Sequence, residues 1–211
     1  NIKNWNSTET TLKKGVEKNE FDKEGVLKRF EHQLNNFGIK TKNTLNPDFS
    51  WAATDVSIII NKYFGKKFIL LLPFCSPQLS HKKWPYYNEL IKIIKLKHPG
   101  IEIAVAPGPK EIEEGKLFNA ISILNKGLPL NIMELAGLIK KSSFVIANDT
   151  GPAHMAAHLG KPGLVIFGSH TTPEKVSIET KKFKAVTNIN LKDIKAEDIY
   201  IKIKEDIESI N

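Results

Sequence analysis

Short apolar runs alternate with amphipathic segments from residue 67 to the end of the chain. Several of these runs are almost continuously apolar, as in strands covered on both faces: Phe68–Leu72, 101–105, 121–124, 144–147 and Gly163–Phe167. The segments between and after them place apolar residues at helical intervals and predict helices at 85–98, 109–120, 131–141 and 195–210. This alternation predicts an α/β protein with a Rossmann-like parallel sheet and helices on both faces.

The first part of the chain does not follow this alternation. Residues 1–20 are polar and without periodicity, 21–37 predict a helix that stops at Gly38, and the apolar run 56–60 is ambiguous between strand and helix. We therefore expect two parts, with residues 63–211 forming the α/β lobe and residues 1–62 lying outside it.

The charge of the chain bears on its partners, and its cysteine content bears on its compartment. The formal net charge is +8, but it comes almost entirely from lysine, because Arg29 is the only arginine. Arginine is the usual reader of bases and phosphates, so we expect no nucleic-acid partner. A solvated lysine-rich surface is the simpler explanation, and peripheral contact with an anionic membrane surface stays open. The single cysteine, Cys75, rules out an internal disulfide and favours the cytoplasm.

Polar residues follow the strand predicted at 144–147. There the chain makes an abrupt turn and enters a short helix that Gly160 closes. Turns after parallel strands face the ligand crevice, and a helix start presents N–H groups and partial positive charge to an anion. Asp149, Thr150, Gly151 and His154 are therefore candidate phosphate-binding residues, although Asp149 could equally serve as the N-cap of the helix.

Two other chemistries receive less support from the same segment. His154 and His158 are four residues apart, as in zinc sites, but the motif has no glutamate between them and no third ligand is evident. We therefore expect no metal site and a packing or surface role for His158. Gly168-Ser169-His170 does not form a nucleophile elbow, which disfavours a hydrolase.

Two loops after earlier strands carry further candidates. Ser76 and Lys82 flank the first loop, where their hydroxyl and ammonium groups are either candidates for ligand binding or parts of an ordinary turn with a solvated lysine. Glu111 begins the segment after the second strand, where it could accept ribose hydroxyls or stabilise a helix dipole. Trp84 and Phe167 are expected in the core.

Several of these segments, read together, resemble glycosyltransferase family 9, the family of the lipopolysaccharide heptosyltransferases. Residues 149–154 (DTGPAH), followed by Gly-Lys-Pro and a strand ending in Phe-Gly, resemble its signature. Residues 73–85 look like its phosphate loop, 108–111 its sugar-nucleotide loop, and 130–136 the helix before the signature strand. The likeness covers about residues 64–170. The chain departs from it in the phosphate loop, where Cys75 and Pro77-Gln78 replace the glycine and threonines of many relatives.

The resemblance implies a fold and a reaction. Family members have two Rossmann-like lobes (GT-B), so residues 1–62 would be a remnant of the N-terminal lobe with the interlobe connection, and 63–211 the C-terminal, donor-binding lobe. The implied reaction transfers a heptose-like sugar, with inversion and without metal, from an ADP-heptose-like donor to a lipopolysaccharide core or related glycan. The donor is a substrate, and no cofactor is expected.

Site residues follow from the same resemblance. The donor-binding set would be Ser76, Lys82, Glu111, Asp149, Thr150, Gly151 and His154. The general base of the family is an aspartate near the start of the first lobe, and no residue here matches it. Two alternatives stay open, namely a non-catalytic nucleotide-sugar-binding module and a sugar-nucleotide epimerase.

Overall fold

The computed structural model describes residues 12, 14–65 and 67–210. Within them, six parallel strands form one sheet: β1 (Phe68–Leu72), β2 (Glu102–Val105), β3 (Ile121–Ser122), β4 (Phe144–Asn148), β5 (Gly163–Phe167) and β6 (Phe183–Thr187). The strand order is β3-β2-β1-β4-β5-β6. This is the Rossmann order, in which the direction of winding reverses between β1 and β4. The predicted fold class is confirmed.

The described residues also form helices, several of which cover the two faces of the sheet. They are α1 (Lys18–Phe21), α2 (Val26–Asn36), α3 (Ser57–Ile60), α4 (Tyr87–Lys97), α5 (Ile112–Gly115), α6 (Ile132–Lys141), α7 (Gly151–His158), α8 (Pro173–Val176) and α9 (Ala196–Glu208). On one face, α4 and α9 pack together and share an apolar cluster with β1, β2, β4 and β5. On the other face, α3, α6 and α7 bury a second apolar cluster. Burying apolar surface on both sides explains why the central strands contain almost no polar residues.

Three sequence expectations about elements were wrong. The helix predicted at 109–120 is the single turn α5, because the Asn88 side chain bonds the Leu117 carbonyl and the Asn119 N–H and draws this segment into turns. The strand predicted at 121–124 ends at Ser122, before a tight turn. The helix predicted at 21–37 is divided into α1 and α2.

Strand β6 was not predicted at all. It is an edge strand in which Phe183 is fully buried while Lys184 and Thr187 are exposed, so its residues do not form a continuous apolar run. The criterion that identified the central strands therefore does not recognise it. The ambiguous run at 56–60 contains the helical turn α3.

The segment before β1 packs against the lobe. The Thr54 N–H donates to the Met133 carbonyl, and Gly137 of α6 permits this approach, because a Cβ there would collide with the Thr54 carbonyl oxygen. No strand occurs among the described residues of this segment. Residues 1–11 lie outside the described residues, and the domain boundary at residue 62 stays a prediction.

Candidate functional site

A cavity of about 690 Å³ opens at the carboxyl ends of β1 and β4, the two strands between which the winding of the sheet reverses. Ligands of open α/β sheets bind at such points. The seven residues predicted from the sequence all line this cavity: Ser76, Lys82, Glu111, Asp149, Thr150, Gly151 and His154. His81, His170 and several apolar side chains complete its wall.

Asp149 is the centre of the polar network in this cavity. Only 3% of its surface is exposed. Its Oδ2 accepts hydrogen bonds from Lys82 Nζ at 2.8 Å and from His170 Nε2 at 2.7 Å. His154 Nε2 lies 3.6 Å from Oδ1, which is an electrostatic contact rather than a hydrogen bond.

These neighbours determine the ionisation of Asp149. Burial acting alone would raise the pKa of its carboxyl, but His154, Lys82 and His170 outweigh burial and hold that pKa well below its usual range. Asp149 is thus a buried carboxylate whose charge is balanced by the Lys82 ammonium. Because it has these partners, the burial of its charge is tolerated.

The alternative role of Asp149 as a helix N-cap is wrong. Thr150 is the N-cap of α7, and no side chain caps this helix. The N–H groups of Ala153 and His154 both donate to the Thr150 carbonyl, and Pro152 has no N–H. Gly151, which is exposed at the cavity wall, is therefore the first-turn residue whose N–H suits a bound anion.

Adjacent lysines have different surroundings. Lys82 Nζ reaches the cavity and also lies 3.3 Å from the Asp149 carbonyl oxygen. Lys83 Nζ is bonded to both carboxylate oxygens of Glu114 at 2.7 Å and does not line the cavity. An ammonium has three donors. Two of those of Lys82 are used by Asp149, so the third can point to a phosphate.

Loop residues form the opposite wall. Ser76 precedes the 3-10 turn Pro77–Lys82, and its carbonyl accepts the Leu79 N–H at 2.8 Å. Glu111 precedes α5, and its Oε2 accepts the Gly108 N–H at 2.8 Å, which fixes the loop after β2. Burial raises the pKa of the Cys75 thiol, whose Sγ donates to the Leu79 carbonyl oxygen at 3.1 Å within the same loop. The donor-binding roles of Ser76 and Glu111 stay predictions.

Sequence analysis missed Asn148, which positions this loop. Asn148 is fully buried, and its Nδ2 donates to the Pro73 carbonyl at 2.6 Å. Its Oδ1 accepts from the Trp84 N–H at 3.2 Å and from Tyr87 Oη at 3.1 Å. One amide thereby ties the end of β4 to both ends of the loop that carries Lys82. A polar residue at the end of an apolar strand was the available signal.

His170 was also missed as a site residue, although it follows closely on the end of β5. Its hydrogen bond to Asp149 spans 21 residues of sequence. The rule that residues after parallel strands face the crevice could have identified it.

His158 lies outside the cavity. Its ring stacks on that of His154 with centroids 6.4 Å apart and packs 6.2 Å from the Phe49 ring. Burial, followed by the proximity of His154, lowers the pKa of His158. The packing role expected for His158 agrees with these contacts. Trp84 and Phe167 are buried in the core, as predicted.

A metal site finds little support in the side-chain chemistry. In the described part of the chain, no three His, Cys, Asp or Glu side chains have an arrangement that could hold a metal ion. The Lys82 ammonium, which cannot ligate while protonated, lies against the one carboxylate that His154 and His170 share. Metal independence stays a prediction.

The sheet order and this cavity define a Rossmann-like lobe with a candidate anion-binding site at its switch point. A family model described as glycosyltransferase family 9 (heptosyltransferase) matches residues 14–203. The chain belongs to this family.

Individual relatives agree with that assignment. The chain is similar to the lipopolysaccharide core heptosyltransferase OpsX of Haemophilus influenzae, at 28% identity over 112 residues, which cover 51% of this chain and 32% of OpsX. Its fold is similar to that of E. coli heptosyltransferase WaaC with ADP (TM-score 0.64, 21% identity, 84% of this chain and 55% of WaaC). It is also similar to the family 9 glycosyl transferase from Veillonella parvula (TM-score 0.63, 14% identity, 86% and 60% of the two chains).

These matches also show that the chain spans only part of the length of its relatives. No helix in the described part of the chain has the length and apolar character needed to cross a bilayer.

Proposed function

We propose that this chain holds the nucleoside diphosphate of a nucleotide-sugar donor, for transfer of a heptose-like sugar to a lipopolysaccharide core or related glycan. The observation that carries the proposal is the convergence of Lys82, His154 and Gly151 on one cavity at the sheet switch point. Family membership supports transfer rather than epimerisation. The donor resembles ADP-heptose, and the acceptor is a glycolipid or glycan.

The proposed chemistry is an in-line displacement with inversion. An acceptor hydroxyl attacks the anomeric carbon, the bond from that carbon to the diphosphate oxygen breaks, and negative charge develops on the leaving diphosphate. In this proposal the Lys82 ammonium, the Gly151 N–H and the His154 ring, which all line the cavity, stabilise that charge in the role that a metal ion has in other transferases. Asp149 orients Lys82, and Glu111 accepts the ribose hydroxyls.

We place the reaction in the cytoplasm. Exposed lysines such as Lys181, Lys182 and Lys202 would favour contact with the anionic inner-membrane surface, where a glycolipid acceptor resides.

Calorimetry of the chain with ADP, UDP and GDP tests the donor site. We expect a nucleoside diphosphate to bind in EDTA as well as in magnesium. Lys82→Ala should weaken binding by about 1.5–3 kcal/mol, the contribution of one charge-assisted hydrogen bond. Lys83→Ala is the matched control, because Lys83 is bonded to Glu114 outside the cavity. Strict dependence on magnesium, or equal losses in the two variants, would overturn the mechanism.

A second candidate function, that of a non-catalytic binding module, is favoured by the hydrogen-bond partners of the two acidic residues in the cavity wall. They are Asp149 and Glu111, and both are engaged, the first with Lys82 and His170 and the second with the Gly108 N–H. Neither is placed as a free general base.

We therefore expect this chain by itself to transfer no sugar, since general base catalysis contributes roughly 10²–10⁴-fold. The assay measures transfer from a radiolabelled nucleotide sugar to heptose-deficient lipopolysaccharide, with E. coli WaaC as positive control. Turnover comparable with that control would mean that the base lies in this chain. Failure to bind any nucleotide sugar would exclude both candidates.

A further inference from the structure

His170 is held rigidly beside the donor cavity. Its ring stacks on the Phe167 ring with centroids 6.1 Å apart and meets the edge of the His81 ring at 5.5 Å. Its side chain is 13% exposed, and Nε2 lies 2.7 Å from Asp149 Oδ2. The ring is thus fixed by aromatic contacts with Nε2 directed at the carboxylate.

The other ring nitrogen does not face the cavity. His170 Nδ1 is buried and has no hydrogen-bond partner in the described structure. It lies against its own loop, where a Cβ at Gly168 would be 3.5 Å away. Nδ1 is thus enclosed and Nε2 is bonded to Asp149, so the hydrogen-bonding effect of His170 on a bound nucleotide passes through Asp149, although the ring also lines the cavity.

Lys82 and His170 share the same oxygen of Asp149. When the third N–H of Lys82 binds a phosphate, one ammonium charge is shared between the phosphate and Asp149. A buried carboxylate whose charge is less fully balanced depends more on its remaining hydrogen-bond donors. The Nε2–H of His170 keeps that oxygen hydrogen-bonded, and it prevents the carboxylate from rotating out of position.

We propose that His170 is a positioning residue of the donor site, which fixes the Asp149 carboxylate so that Lys82 points at the donor diphosphate. This inference rests on the proposed function only in that the partner of Lys82 is a nucleoside diphosphate. Neither the family motif nor the sequence pattern includes His170 in the site.

The decisive experiment is calorimetry with ADP on single and double variants. His170→Ala should weaken binding roughly tenfold, the effect of losing a hydrogen bond to a charged group. His170→Gln, whose amide can replace the Nε2 donor, should recover most of the affinity. In a Lys82→Ala background, His170→Ala should change affinity less than about twofold, because residues that act through one another are not additive.

The matched control is a buried histidine elsewhere. His98 is 7% exposed, and its Nε2 lies 3.0 Å from Tyr200 Oη on the α4–α9 face, away from the cavity. His98→Ala should lower the melting temperature while leaving ADP affinity unchanged. Equal losses in His170→Ala and His170→Gln, or additive losses with Lys82→Ala, would overturn the inference.

A second measurement needs no nucleotide. Nitrogen-15 NMR of the chain should show His170 protonated at Nε2, with a signal that changes when Asp149 is replaced by asparagine. A His170 ring protonated only at Nδ1 would overturn the inference even if ADP binds. If the wild-type chain binds no nucleoside diphosphate, the proposed function fails. The NMR result then decides separately whether His170 fixes Asp149.

Discussion

Asn148→Asp tests the contact that joins β4 to the donor loop. The substitution preserves the shape of the side chain and the oxygen that accepts from Trp84 and Tyr87. It replaces the amide nitrogen, 2.6 Å from the Pro73 carbonyl oxygen, with a carboxyl oxygen. If the new carboxyl is ionised, its oxygen and the Pro73 carbonyl oxygen face each other, and both are acceptors. If it is protonated, its O–H replaces the lost donor. The folded protein therefore favours the protonated form.

The size of the effect follows from this linkage. Burial, together with the Pro73 carbonyl oxygen that would face the new carboxyl oxygen, raises the pKa of this carboxyl in the folded state, while the unfolded chain keeps a pKa of about 3.9. The folded state must keep this proton at pH 7, about 3 pH units above the pKa of the unfolded chain. Each pH unit lowers the free energy of unfolding by about 1.4 kcal/mol, so the loss at pH 7 is about 4 kcal/mol. At pH 5 the same reasoning gives about 1.5 kcal/mol. Stability is lost as pH rises, since the folded state binds the extra proton.

Urea denaturation of wild type and variant at pH 5 and pH 7 measures both values. Asn88→Asp is the matched control, because the Asn88 amide also donates to a carbonyl, that of Leu117, and accepts an N–H, that of Asn119, but near solvent. The control should lose less than about 1 kcal/mol at either pH. A loss at Asn148 that is independent of pH, or no larger than the control, would refute the assigned orientation of the amide.

Two further predictions concern α7. His154→Ala should weaken ADP binding several-fold in calorimetry and His158→Gln should not, because only the first turn of the helix faces the cavity; equal losses would contradict this. The lowered pKa of His158 means that the folded state binds fewer protons than the unfolded state below about pH 6.5. As the pH falls from about 7.5 to 5.5, the melting temperature of the wild type should therefore drop more than that of His158→Gln. Equal drops in the two proteins would contradict a lowered pKa of His158.

Local sequence determined the central sheet and the position of the site. Runs such as Phe68–Leu72 are stable only when both faces are covered, so their composition specifies buried parallel strands. The start of α6 is also determined by local sequence, because Asn131 and Glu134, three residues apart, form a capping box. The cavity was identified by Asp149, directly after β4, and by Ser76 and Lys82 in the loop that follows β1, since the carboxyl ends of parallel strands share one edge.

Only the tertiary structure decided how these residues pair. Lys82 and Asp149 are 67 positions apart, and Asn148 and Trp84 are 64 positions apart, so no periodicity connects them. β6 is a strand because β5 offers it a hydrogen-bonding edge, although its own residues form no continuous apolar run. His170 joined the site because β5 lies next to β4. Propensity and burial patterns act over a few residues, whereas hydrogen-bond partners are chosen by the way distant segments pack.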